Sequence, residues 1–215
     1  MSQTTISNLD LTKLKIGKSG KMIKILYNGL PLQLSTSKMI TPFGVKINNN
    51  NYSPFTNCHI DSSLYQNSNL LEKNLYDNLE SAVIQLIKTN CGVFNQKDTD
   101  EIDFTKDDFY SPIFKPNKEY PKLLKISLPR DRNGNFDLVI FDENKQKIPL
   151  NDNTIETVLP KGTVFKSIIE CNKVWAFKNK IGITWNLIQM KTFPQINKAE
   201  LKIDYTQNLM GNDEL

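Results

Sequence analysis

The chain has 215 residues, 39% hydrophobic and 9% aromatic, with 27 Lys and Arg against 23 Asp and Glu for a net charge of +4. That length and apolar content suit one substantial globular domain or two small ones, which sets aside a disordered polyelectrolyte. No apolar run reaches the roughly eighteen residues of a membrane-spanning helix, and the alternating opening MSQTTISNLDLTKL does not read as a secretory leader.

Lys21 to Tyr27 (KMIKILY) reads as a strand, Asn28-Gly29 as a tight turn, and Leu30 to Leu34 as the returning strand. Gly17-Lys18-Ser19 invites comparison with a phosphate-binding loop. Thr12 stands where that loop needs its first glycine, so the comparison fails. In Lys38 to Lys46, Pro42 bars a central ladder hydrogen bond and Gly44 permits a bend around Phe43. Such a strand turns a corner, as small closed barrels require. Asn48 to Asn51 is an asparagine run and reads as a loop. Cys58 and His59 lack further ligands at metal-site spacing and read as structural.

Asn69 to Lys88 is the one long helix. Leu71, Leu75, Leu79, Ala82, Val83, Leu86 and Ile87 form a single apolar stripe, with Asn69 and Glu72 as a capping box and Asn90 and Gly92 at the end. The stripe predicts a helix that plugs or flanks a sheet. Lys97 to Asp108 (KDTDEIDFTKDD) lacks the spacing of a calcium loop and reads as a solvated acidic insertion that could compete for a basic face. Leu124, Ile126 and Leu128, then Phe136, Leu138 and Ile140, alternate around the turn-rich stretch Asp131 to Asn135 and predict a second hairpin. Thr154 to Leu159 predicts one short helical turn.

Thr163 to Phe193 reads as two long strands joined at Lys178 to Lys180, and it holds both tryptophans. By the period of two, Phe165, Ser167, Ile169, Cys171, Lys173, Trp175 and Phe177 share one face. Ile181, Ile183, Trp185, Leu187, Gln189, Lys191 and Phe193 share one face of the second strand. Rings and ammonium groups on one sheet surface suit base stacking and phosphate tracking. A buried sheet with solvated edge lysines fits the same pattern. Charge favours the first: residues 1 to 50 carry seven Lys against one acid, residues 161 to 202 eight against two, and residues 51 to 110 ten acids against four Lys. A basic face with an acidic insertion elsewhere suits a polyanionic partner. Three cysteines, Cys58, Cys91 and Cys171, without close pairing fit a reducing, intracellular setting.

The expected architecture is mainly β with one principal helix, an OB-fold-like small antiparallel barrel with insertions. Residues 1–14 read as an arm, 15–195 as a single domain with an insertion at 50–118, and 196–215 as a polar tail.

The segments KMIKILYNGLPLQLSTSKMITPFGV, PKLLKISLP and KGTVFKSIIECNKVWAFKNKIGITWNLIQ, with the striped helix between, resemble a family of single-stranded-DNA-binding proteins of nucleocytoplasmic large DNA viruses. That family is related to the single-stranded-DNA-binding protein of the T-odd podophages. The resemblance covers roughly residues 15 to 193. Its most specific parts are the Pro42-Phe43-Gly44 corner and the series Trp175, Gly182, Trp185, Gln189. It implies an oligonucleotide-binding fold that coats unpaired DNA in viral replication, repair or recombination, with no cofactor and no catalysis. Replication proteins and a second copy of the chain are candidate partners, and the host cytoplasm, a viral replication factory or the virion the expected place. The phage relative's acidic tail ends in an aromatic residue. Here Asp213 and Glu214 precede Leu215, which puts a tail-mediated partner switch in doubt.

The expected interface follows. Trp175, Phe177, Trp185 and Tyr27 offer rings, Trp175 being the more accessible tryptophan. Lys173, Lys178, Lys180, Lys191, Lys21, Lys24, Lys38 and Lys46 track phosphates. The alternatives are a virion structural protein with a basic β-domain, or a nucleic-acid enzyme, for which the lone His59 and the loop acids give little support.

Overall fold

A computed structural model describes residues 4–5, 8–19, 22–48, 57–64, 70–90, 108–114, 121–177 and 180–194. Five strands form its frame: β1 (Met39–Thr41), β2 (Asn57–Leu64), β3 (Leu123–Leu128), β4 (Thr163–Phe177) and β5 (Lys180–Phe193). β1 pairs antiparallel with β2, β2 with β3, and β4 with both β1 and β5. β3 and β5 run parallel, with Ile126 opposite Trp185. The ring order 1-2-3-5-4 returns to β1, so five strands close on themselves in an OB-type barrel.

The long β4–β5 hairpin forms as the sequence predicts, but two bulges change which side chains face inward. Cys171 pairs with Trp185 and Lys173 with Thr184, leaving Asn172 as an extra residue on β4. Ile168 pairs with Gln189 and Ile169 with Leu187, leaving Ile188 extra on β5. Each extra residue shifts the period-two alternation by one. Phe165, Ser167, Ile169 and Cys171 are buried before the first bulge and Val174 after it. Ile181, Ile183, Trp185 and Leu187 are buried before the second and Met190 after it. The two uninterrupted faces expected from the sequence are therefore each split. Lys173 and Trp175 point to the opposite side from Cys171, and Gln189, Lys191 and Phe193 to the opposite side from Leu187.

Smaller strands extend the ring. Leu14–Ser19 pairs with Met22–Tyr27, so the glycine-lysine-serine stretch lies in an extended strand. Tyr27 pairs with Leu30 across Asn28 and Gly29, whose φ angles of 51° and 81° are what a two-residue turn with left-handed centres needs. Gly44 makes the predicted corner at φ +71°, and a Cβ there would lie 3.0 Å from the Lys161 nitrogen.

The second predicted hairpin is corrected. Leu124, Ile126, Leu128, Leu138 and Ile140 are buried as the alternation predicts. Yet the two runs are linked by the single bridge Arg130–Phe136 among the described residues. A strand has two edges, and those of β3 are taken by β2 and β5. Val139–Phe141 instead pairs in parallel with β5 and then with Lys147–Ile148.

Helix α1 (Leu70–Thr89) buries Leu79, Val83 and Ile87 from its predicted stripe. Its end is closed by the Asn90 side-chain amide, which donates to the Leu86 carbonyl at 2.8 Å. Asn69, Gly92, most of the acidic insertion and the tail from residue 195 lie outside the described residues. The short α2 (Ile155–Val158) is the predicted helical turn, with Ile155 and Leu159 fully buried. The barrel core gathers Ile60, Ile126, Ile140, Phe165, Ile169, Leu187 and Met190.

Candidate nucleic-acid interface

With Leu124, Ile126 and Leu128 turned inward on β3, Lys125 and Ser127 face outward. On β5, Trp185 and Leu187 inward leave Thr184 and Asn186 outward. Cross-strand register then lays a polar row over the barrel wall. Lys46, on the strand Val45–Asn48 beside β2, stands opposite His59, His59 opposite Ser127, Ser127 opposite Asn186, and Asn186 opposite Glu170.

This face is concave. An open cleft of about 690 Å³ lies over it, floored by His59, Lys125, Ser127, Asn172, Lys173 and Asn186 and edged by Asn48, Asn57 and Arg130. Lys173 reaches the cleft because the Asn172 bulge re-aims it, and bulges often serve that purpose beside binding sites. The Arg130 guanidinium sits 4.1 Å from the Phe136 ring centroid, donates to the Gly134 carbonyl at 2.6 Å and pairs with Asp152. It fixes the Asp131–Asn135 loop as a rim. The Asp131 carboxylate is partly desolvated, but backbone N–H groups of Asn133 and Asn135 donate to it and hold its pKa below the ordinary range.

Beneath the cleft lies a buried charge. Asp61 is 2% exposed; its Oδ2 accepts from the Lys46 ammonium at 2.5 Å, and its Oδ1 accepts no hydrogen bond among the described residues. His59 Nε2 stands 3.9 Å from Oδ1. Burial lowers the His59 pKa first, repulsion from Lys125 and Lys46 adds to that, and Asp61 opposes it. The imidazole therefore holds its proton less readily than a free histidine.

At the hairpin tip, Trp175 pairs with Gly182 and lies against it; a Cβ on Gly182 would come within 2.5 Å of the indole. Tyr110, on the strand Phe109–Tyr110 that pairs with β5, is 60% exposed, its ring centroid 5.8 Å from that of Trp175 at a 52° tilt. The indole is half-buried, with Lys173 exposed beside it on the same strand.

The residues predicted from the sequence divide accordingly. Trp175 and Lys173 join the cleft and its aromatic end. Trp185 is 3% exposed and shares a small apolar pocket with Leu79, Pro112, Ile113 and Ile183, and Tyr27 is 9% exposed. Both rings belong to the core and are withdrawn as stacking surfaces, because inward parity on β5 and on Met22–Tyr27 seals them. Lys24 is tied to Glu170 at 3.8 Å, Lys46 to Asp61, and Lys180 to Asp108 at 3.6 Å. Lys24 and Lys46 thus already hold carboxylate partners on the barrel, while Lys180 forms an exposed pair. Lys38 and Lys191 lie toward the other end of the hairpin, around Phe193. Lys21, Lys178 and the Phe177 side chain lie outside the described residues. Lys125, Asn172, Asn186 and Tyr110 are site residues that the sequence reading does not single out. The alternation that marks Leu124 as core marks Lys125 as surface, so that signal is present in the chain; Asn186 is seen to face outward only once the fold turns Trp185 inward, and Tyr110 carries no signal.

No protein-family model and no curated protein matches the sequence. Among solved structures, the chain is similar to the single-stranded DNA-binding protein from bacteriophage Enc34 in complex with ssDNA. Identity there is 12%, with 84% of this chain and 94% of that chain covered and a TM-score of 0.45. It is also similar to gp2.5, a single-stranded DNA-binding protein encoded by bacteriophage T7, at 11% identity, 86% and 98% coverage and a TM-score of 0.44. Both likenesses are distant, and the barrel assignment stands on the strand pairing.

Proposed function

We propose that this protein binds single-stranded DNA across the outer wall of β2, β3 and β5, with little sequence preference, and coats unpaired DNA during replication, repair or recombination. The observation that carries the reading is the open polar cleft with Lys125 and Lys173 on its floor and the Trp175–Tyr110 pair at the hairpin tip. An OB-type barrel presents oligonucleotides to its second and third strands and to the loop joining its fourth and fifth, and the cleft and Trp175 occupy those places. A ring stacks on any base and an ammonium group pairs with any phosphate, so the site suits sequence-tolerant binding. The viral family suggested by the sequence gives the setting of replication and recombination.

Titration of an oligo-dT against tryptophan fluorescence at two salt concentrations tests this. Quenching that weakens as salt rises is expected, because each neutralised phosphate adds about 0.7 to the log–log slope for single strands. Absence of quenching at low salt, or binding to duplex as tight as to single strands, sinks the reading.

A further inference from the structure

Beyond the cleft, cross-strand register assembles a second basic row. Lys166 on β4 stands opposite Lys191 on β5, Lys191 opposite Phe141, and Phe141 opposite Lys147. Ser167 and Met190 are buried beside them, so Lys166 and Lys191 point outward, the side on which Asn186 faces the cleft. Lys166 and Lys147 are exposed, Lys191 and Phe141 half-buried. Around the same point, the Lys38 and Lys191 ammonium groups lie 4.7 and 5.6 Å from the centroid of the Phe193 ring.

This arrangement works against the isolated protein, because like charges directly opposite on a β ladder repel. Among the described residues no carboxylate forms an ion pair with Lys38, Lys147, Lys166 or Lys191. The acid next in sequence to Phe141 is turned elsewhere: Asp142 accepts from the backbone N–H groups of Asn144 and Gln146 at 2.9 and 2.8 Å. A row of ammonium groups around a half-exposed ring, lacking a carboxylate partner among the described residues, matches a phosphodiester chain in both charge and stacking.

From Asn186 to Lys191 is five residues of one strand, about 16 Å at the usual rise. Asn186 is level with Glu170, whose carboxylate is tied to Lys24, and beyond it the outward positions Ile168, Gln189 and Val139 carry no charge. We propose that the Lys166–Lys191–Lys147 row, with Lys38 and Phe193, is a second contact site for the same single strand, engaged after it leaves the cleft. The proposal rests on the cleft reading, and it assigns to this barrel a long footprint within the roughly 4–16 nucleotides that such folds cover.

The experiment compares dT oligomers of about 4 and about 16 nucleotides on the wild-type chain and on the variant Lys147→Glu/Lys166→Glu, with a thermal melt of each. The variant should bind the long oligomer about tenfold more weakly, with a salt slope lower by about 0.7 for each phosphate that is no longer neutralised. Binding of the short oligomer should be unchanged. Unchanged affinity for both lengths overturns the second site while leaving the cleft intact. An equal loss for both lengths at unaltered melting also overturns it, since the lysines would then act only through the general field. Should the charge reversals unfold the chain, Lys147→Gln/Lys166→Gln reads the same difference at smaller amplitude. Failure of the wild-type chain to bind either oligomer would instead remove the cleft reading itself.

Discussion

The two tryptophans sit on facing strands of one hairpin, and they lead opposite lives. Trp185 lies where β5 keeps its alternation, so its indole enters the barrel beside Leu79 and Ile183. Trp175 lies just past the Asn172 bulge, so its indole faces outward onto Gly182 and Tyr110. Identical side chains with the same local propensity are separated by one inserted residue. The bulge, rather than the composition of the hairpin, divides core from candidate interface.

Removing each ring in turn tests that division most strongly. Trp185→Ala should lose about 3–5 kcal/mol of stability, the usual range for emptying a buried aromatic site, read in a urea melt. Trp175→Ala should leave the melt nearly in place and weaken oligo-dT binding by about 1–3 kcal/mol, the range for one stacked base. If Trp175→Ala unfolds the chain while Trp185→Ala does not, the assignment is reversed. A subtler probe is Gly182→Ala, which puts a methyl group 2.5 Å from the Trp175 ring and 2.9 Å from the Tyr110 carbonyl oxygen. Overpacking of this kind costs about 1–3 kcal/mol. It should shift the Trp175 emission while the buried Trp185 signal stays constant.

Much of the frame is legible in the chain itself. The Asn28-Gly29 turn, the Pro42-Phe43-Gly44 corner, the leucine stripe and the terminal hairpin each carry a local signal, and each forms where that signal lies. What alternation cannot reveal is a bulge, since an extra residue leaves no mark in a period-two pattern until the partner strand is known. That is why alternation alone puts Lys173 and Cys171 on one face, and why it offers Trp185 as a stacking ring. Pairing choice is equally hidden: Leu124–Leu128 and Phe136–Ile140 look like neighbours in sequence, but β2 and β5 occupy the edges of β3. The ion pairs of Lys24 and Lys46 join strands that only the fold brings together, so charge counts along the chain do not reveal them.

The smallest expected effect concerns the floor of the cleft. His59 holds its proton less readily in the fold than at the ordinary value of 6.5, through burial and the nearby Lys125 and Lys46. As pH falls below about 6.5 the unfolded chain takes up that proton first, so stability should decline on acidification. Melting curves at pH 7.5 and 5.5 should show the decline, and His59→Gln should reduce it. Phosphates in the cleft would favour the charged imidazole, so oligo-dT affinity should rise modestly over the same interval. An affinity indifferent to pH would place the strand away from His59.

The parallel pairing of β3 with β5 has a consequence for how the molecule comes into being. β5 supplies Ile181, Ile183, Trp185, Leu187 and Met190 to the interior, and Asn186 to the exterior groove. Until residue 193 has left the ribosome tunnel, the ring lacks its closing stave and β3 lacks its partner at Ile126 and Ser127. Contacts this remote in sequence form late and slowly. A nascent chain halted short of residue 180 would expose apolar surface and lack the Asn186 side of the cleft, so the core and the groove are completed together.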